Sequence, residues 1–297
     1  MKLLLLFPCL LAAALMGQTS EVVRYKVGDS TMASTLVLPA NATAEQTRPA
    51  VLIVPNWMGP GPYYDAMAQE FARNGIVAMT VDMYGEGVRP ANLNQAAEAA
   101  SVVGAGDRSM MRNRITSAVK EIRNRPEVDK QRIVAIGFSF GGTAALELAR
   151  SGSTINGVVS FHGGLSTPLP EDNRKIKTSL LVLQGSRDPY VPLEEVLKFL
   201  VQMRDTDVDW TFVEFSKATH AFTNPAANQK GKEEFDEKAT LQSWEMTFDF
   251  IGRRLKVDTT GLNNRKMLDL LKKAAIVEPV PAAQPAPATE ATPAAAE

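Results

Sequence analysis

Through the middle of the chain, continuous apolar runs rich in β-branched residues alternate with stretches of helical spacing. The runs at 50–55 (AVLIVP), 76–82 (IVAMTVD), 132–137 (RIVAIG), 157–161 (GVVSF), 179–185 (SLLVLQG) and 208–215 (VDWTFVEF) predict strands. Most lack polar alternation, as expected of strands covered on both faces of a parallel sheet. Residues 63–74, 107–125, 141–151, 193–204 and 233–255 have the 3.6-residue spacing of helices, and the last places Phe235, Ala239, Trp244, Phe248 and Ile251 on one stripe. Residues 22–27 and 34–38 predict a hairpin of edge strands around Gly28 and Asp29. Strand–helix alternation over this length predicts one α/β domain, a mostly parallel central sheet with helices on both faces.

The two ends follow other rules. In residues 1–17, MKLLLLFPCLLAAALMG, a lysine precedes an apolar stretch that ends in small residues, the pattern of a secretory signal peptide. The stretch is short for a membrane span, which takes about 20 apolar residues. Residues 278–297 are dominated by proline and alanine and predict a disordered tail. The expected organisation is a signal peptide at 1–17, an α/β domain at 18–257, an amphipathic helix within 258–277 whose docking is left open, and the tail at 278–297.

Composition narrows the chemistry. The single cysteine, Cys9, lies in the leader, so no intramolecular disulfide can form and a cysteine-rich metal cluster is excluded. A formal net charge of −1 gives no basic field for nucleic acid. No phosphate loop or metal-ligand spacing is present, so no cofactor and no metal is expected. The expected partner is a small molecule, with neither nucleic acid nor stable membrane insertion after leader removal. A monomer or homodimer in a periplasm or outside the cell is expected.

The sharpest motif is Gly137-Phe138-Ser139-Phe140-Gly141, a G-x-S-x-G between a strand-like RIVAIG and a helix-compatible TAALELAR. Such a turn forces a serine hydroxyl above the sheet, on glycines that avoid the neighbouring backbone, and aims helix amides at the same point. A serine nucleophile needs a base and the base needs a carboxylate. Of the two histidines, His220 follows Ser139 and Asp188 in the order Ser, Asp, His, whereas His162 precedes Asp188 and is expected at the rim of the site or in a structural role. Asp188 lies in GSRDPYVP, beyond the carboxyl end of a predicted strand, where open α/β sheets place ligands.

These residues, with VLIVPNWMG, VDMYGEG and ATHAFTNP, resemble the dienelactone hydrolase family of the α/β-hydrolase fold from about Arg48 to Arg254. The resemblance implies hydrolysis of carboxylic esters or lactones with Ser139, Asp188 and His220 as catalytic residues. It also implies an oxyanion hole made by the backbone N–H groups of Trp57 and Phe140. The family's founding type carries cysteine, glutamate and arginine where this chain has Ser139, Asn56 and Asn224. That points to a serine esterase variant. Asn56, Met58, Tyr84, Arg89, His162 and Phe222 are the expected lining of the substrate pocket. Rival readings are a noncatalytic binding protein on the same fold and a serine peptidase or acyltransferase using the same triad.

Overall fold

The apolar runs form the centre of an eight-stranded sheet in the computed structural model, which describes residues 17–277. The elements in chain order are β1 (Thr19–Val27), β2 (Ser30–Leu38), β3 (Arg48–Val54), α1 (Pro62–Arg73), β4 (Val77–Thr80), α2 (Leu93–Val103), α3 (Ser109–Asn124) and β5 (Val128–Phe138). They continue with α4 (Phe140–Arg150), β6 (Gly157–Phe161), β7 (Ser179–Gly185), α5 (Leu193–Arg204), β8 (Trp210–Phe215), β9 (Asn228–Gln229), β10 (Glu233–Glu234), α6 (Glu237–Leu255) and α7 (Asn264–Val277). The sheet order is β1-β2-β4-β3-β5-β6-β7-β8. β2 runs antiparallel to β1 and to β4, and every later neighbour is parallel. The fold is therefore the mostly parallel α/β-hydrolase arrangement.

The missing polar alternation has a direct cause. Ala50, Leu52 and Val54 of β3 enter one core with Ile115 of α3, Leu146 of α4 and Phe199 of α5. Val51 and Ile53 enter the other, with Phe71 of α1, Trp244 of α6 and Leu271 of α7. The central strands must be apolar on both sides because both sides are covered. The helix left open at 258–277 is α7, which packs against α1 and α6.

Beyond shifts of a few residues at strand ends, three features differ from the sequence expectation. β2 is an interior strand, so β1 alone forms that edge of the sheet. α6 starts at Glu237 rather than 233, capped by the Asp236 side chain, which accepts from the Ala239 amide at 2.9 Å. The preceding Glu233 and Glu234 pair instead with β9. α2 had no counterpart in the pattern because it buries only Ala96 and Val103.

The chain leaves β3, forms β4 on one side, then crosses back to build β5 on the other. The direction reverses between β3 and β5, and ligands collect at the carboxyl ends of strands at such a point. Val54 at the end of β3 pairs with Gly137 near the end of β5. This register sets residues 55–58 beside Ser139.

Candidate active site

Ser139 stands at the end of β5 with φ 53° and ψ −117°, outside the regions that L-residues occupy without strain. The flanking glycines are required by space. A Cβ on Gly137 would lie 2.0 Å from the Gly141 carbonyl oxygen, and one on Gly141 would lie 2.1 Å from that of Val54. The turn is thus compressed between its own helix and β3, and the serine side chain is pushed outward.

The Ser139 hydroxyl donates to His220 Nε2 at 2.7 Å, and His220 Nδ1 donates to Asp188 Oδ2 at 2.8 Å. Asp188 accepts only, which fixes the proton on Nδ1 and leaves Nε2 as an acceptor. The carboxylate is itself held: Gln184 Nε2 donates to Oδ2 at 3.0 Å and the Tyr190 amide to Oδ1 at 2.9 Å. Asp188 is 4% exposed, so its charge acts through little solvent. The His220 backbone amide donates to the Lys232 carbonyl at 3.0 Å, which fixes the histidine loop on the β10 segment.

Facing Ser139, the turn after β3 is bound from several sides. The Asn56 amide donates to the Tyr64 hydroxyl at 2.9 Å. The Asn56 Oδ1 accepts from the Met58 amide at 3.0 Å, and its carbonyl from the Gly59 amide at 3.0 Å. The Tyr84 hydroxyl donates to the Trp57 carbonyl at 2.7 Å. Between these anchors, the backbone N–H of Trp57 has no partner among the described residues, and neither has that of Phe140 at the start of α4.

A cavity of about 780 Å³ opens in front of Ser139. Asn56, Trp57, Met58, Arg89, Phe140 and His162 line it together with Ser139 and His220. Tyr84 and Phe222, expected in the lining, are not there. Tyr84 is buried behind the turn, where its ring packs on Phe140 at 5.6 Å and its hydroxyl is engaged by Trp57. Phe222 is fully buried beneath His162, with ring centres 5.2 Å apart, because a large apolar ring gains more in the core than at a wet rim. Arg89 reaches the cavity but donates to the Gly85 and Val88 carbonyls and to the buried Asp82 carboxylate.

His162 is 2% exposed and has φ 40°. Its Nε2 meets the Thr223 hydroxyl at 2.9 Å, and its ring stands edge-on to His220 at 5.1 Å. Burial, and then repulsion by a charged His220, hold its pKa well below the usual histidine range, so it is a neutral wall. Residues the sequence did not single out also shape the site: Tyr64 through its bond to Asn56, Thr223 beneath His162, Tyr190 with its ring 4.9 Å from His220, and Glu233. The adjacent tyrosines 63 and 64 after Pro62 were the available signal for Tyr64; nothing local marks Glu233. Among the described residues, no group of three or more His, Cys, Asp or Glu is placed to hold a metal ion.

Residues 32–255 match the dienelactone hydrolase family. The solved structure of m3DLH is similar, with 31% identity and a TM-score of 0.75, covering 80% of this chain and 99% of that one. So is a dienelactone hydrolase-like promiscuous phosphotriesterase from metagenomic libraries, with 29% identity, a TM-score of 0.74 and the same coverage. A Bradyrhizobium protein named as a probable 2-oxo-3-(5-oxofuran-2-ylidene)propanoate lactonase is 26% identical over 183 residues, 59% of this chain and 73% of its own. The match spans most of the chain and includes both the serine turn and the histidine loop, so this protein belongs to the dienelactone hydrolase family and is a hydrolase acting on ester bonds.

Proposed function

We propose that the protein is an exported serine hydrolase that cleaves carboxylic esters or lactones through an acyl-enzyme on Ser139. The observation that carries the reading is the continuous relay from the Ser139 hydroxyl through His220 to the buried Asp188. In the first half-reaction, His220 Nε2 takes the serine proton as Oγ attacks the ester carbonyl carbon. The negative charge that develops on the carbonyl oxygen is met by the Trp57 and Phe140 amides. The tetrahedral adduct then collapses, His220 returns the proton to the departing alcohol, and the acyl group stays on Ser139. Water, deprotonated by the same nitrogen, releases the acid and regenerates the hydroxyl. Throughout, Asp188 keeps the proton on Nδ1 and balances the positive ring.

Preset donors of this kind are worth roughly 3–4 kcal/mol each in acyl transfer. The strained Ser139 backbone supports the same reading, since such strain persists where the surrounding structure imposes it. The 1–17 leader supports export. Hydrolysis of p-nitrophenyl acetate and butyrate by protein beginning near Gln18 tests the chemistry. Ser139→Ala and His220→Ala should each lower turnover by roughly a thousandfold or more, as expected for members of one catalytic unit. A fluorophosphonate should label the wild type and not Ser139→Ala. Full turnover by Ser139→Ala would overturn the mechanism.

A further inference from the structure

Two charged side chains are found among the residues lining the cavity, Arg89 and Glu233, and they are not equivalent. Arg89 is neutralised from behind. Its Nη1 donates to the Gly85 carbonyl at 3.0 Å and the Val88 carbonyl at 2.8 Å. Its Nη2 reaches the Ala33 carbonyl at 3.4 Å and Asp82 Oδ2 at 3.3 Å. Asp82 is fully buried and rigid, accepting also from the Ala33, Tyr84 and Gly85 amides. An anionic substrate group would have to compete with that carboxylate for Arg89.

Glu233 has no cation partner among the described residues. Burial first, and then this carboxylate close to the hydroxyl, push the pKa of the Tyr190 phenol up. Its backbone bridges to His220 in parallel pairing, and Tyr190 stands with its ring 4.9 Å from the His220 ring. Tyr190 is 53% exposed, so an aromatic face is open to the mouth beside the carboxylate. This side of the cavity is the one where His220 hands its proton to the leaving oxygen. In the same reading the Trp57 and Phe140 amides are taken by the carbonyl oxygen.

Resting on the acyl-enzyme reading above, we propose that Glu233 and Tyr190 form a cation-selecting subsite for the alcohol portion of the ester. The preferred substrates are esters of amino alcohols or quaternary ammonium alcohols, neutral esters follow, and esters bearing a carboxylate on the alcohol side are turned away. The physical basis is twofold. An unpaired carboxylate attracts a cation and repels an anion, and an exposed phenol ring adds cation–π attraction. Because the mouth is open to solvent, the preference weakens as salt screens it.

The experiment compares three butyrate esters of closely similar shape by pH-stat titration: butyrylcholine, its carbon isostere 3,3-dimethylbutyl butyrate, and the butyrate ester of 3-hydroxypropanoate. At about 20 mM salt, kcat/KM should fall in that order, the cation leading its isostere by roughly tenfold, and the gap should shrink several-fold near 0.5 M. In Glu233→Gln the choline-to-isostere ratio should collapse toward one, and in Glu233→Lys the order should invert. A wild-type ratio of one or less, or a ratio unchanged by Glu233→Gln, overturns the proposal. Were none of the esters turned over, protection of Ser139 against a fluorophosphonate gives the same decision. Choline must then protect at lower concentration than 3,3-dimethylbutanol, and equal protection overturns the subsite. Turnover surviving in Ser139→Ala would instead remove the acyl-enzyme reading and leave the charge series to be judged by binding alone.

Discussion

At the scale of single residues, Asn56 shows how one side chain sets the position of another residue's amide. Its N–H, carbonyl and Oδ1 are all engaged, by Tyr64, Gly59 and Met58. The peptide unit joining Asn56 to Trp57 therefore cannot rotate freely, and the Trp57 N–H is presented to the cavity at no further entropic cost during the reaction. Loss of the Oδ1 bond loosens the turn without emptying a core. Asn56→Ala should lower kcat by about 10- to 100-fold, short of the full loss of an oxyanion donor, while KM and Tm change little. Asn56→Ser keeps a neutral side-chain oxygen able to accept from the amide two residues on, and should recover part of the loss. Steady-state kinetics and thermal melts of the two variants check this, and equal loss in both would assign Asn56 a different role. The same residue marks the limit of sequence reading. Ser139, His220 and Asp188 could be picked out because strict spacing, a short list of histidines and chain order converge on them. Asn56 appeared as a pocket position and as the place of the founding type's glutamate, not as a turn anchor, since its bonds to Tyr64 and Met58 exist only once the turn has closed. Tyr84 and Phe222 went astray for the converse reason: aromatic residues near a motif are drawn inward as readily as toward a ligand.

At the scale of elements, α4 does two jobs. Its first turn carries the Phe140 amide, and its last turn holds Glu147, whose side chain is fully buried. Arg150 meets Glu147 at 3.0 Å, Arg112 at 2.7 Å and Arg108 at 3.1 Å, while Arg112 and Lys175 also pair with Asp172. This cluster ties α3, α4 and the 3₁₀ turn Pro170–Lys175 together behind the serine turn. Burial alone would raise the Glu147 pKa, but Arg150, Arg112 and Arg108 outweigh it and hold it below the usual glutamate value. A depressed folded pKa means that the unfolded chain binds the proton first as acid is added. The stabilisation is thus complete above the unfolded value, near 4.3, and is lost as pH falls through the lower folded value. Glu147→Gln leaves the buried Arg150 without its only carboxylate partner among the described residues and should cost about 3–5 kcal/mol at pH 7. The Tm gap to the wild type should be widest near neutrality and begin to narrow as pH falls below about 4.3; a pH-independent gap would show that packing rather than charge is lost. None of this cluster was legible in the sequence, because ion pairs between α3 and α4 depend on how the helices cross. The elements themselves were legible where burial is strong. α2 escaped because alanine and polar residues leave almost no stripe, although Asn92, whose side chain accepts from the Gln95 amide, was a cap signal in plain view.

At the scale of the whole molecule, the alternation of apolar runs and helical stripes was enough to specify a two-sided parallel sheet, since that arrangement buries both faces of the central strands. What alternation does not encode is strand order, and it was the crossing back from β4 to β5 that brought the Asn56 turn to Ser139. No disulfide contributes to stability: the one cysteine, Cys9, lies within residues 1–17, so nothing in residues 18–297 requires an oxidising compartment. Export, as proposed, must then be read from the leader itself and not from any need of the fold. Residues 1–17 fused ahead of alkaline phosphatase lacking its own signal supply the test, because that enzyme becomes active only where its disulfides can form. Phosphatase activity should appear with the fusion and vanish when Leu4 and Leu5 are both changed to arginine, which breaks the apolar stretch. The hydrolase domain from Gln18 onward should melt at the same temperature with and without dithiothreitol. An inactive phosphatase fusion would place the esterase chemistry inside the cell, and an unchanged melting temperature would show that the fold survives there equally well.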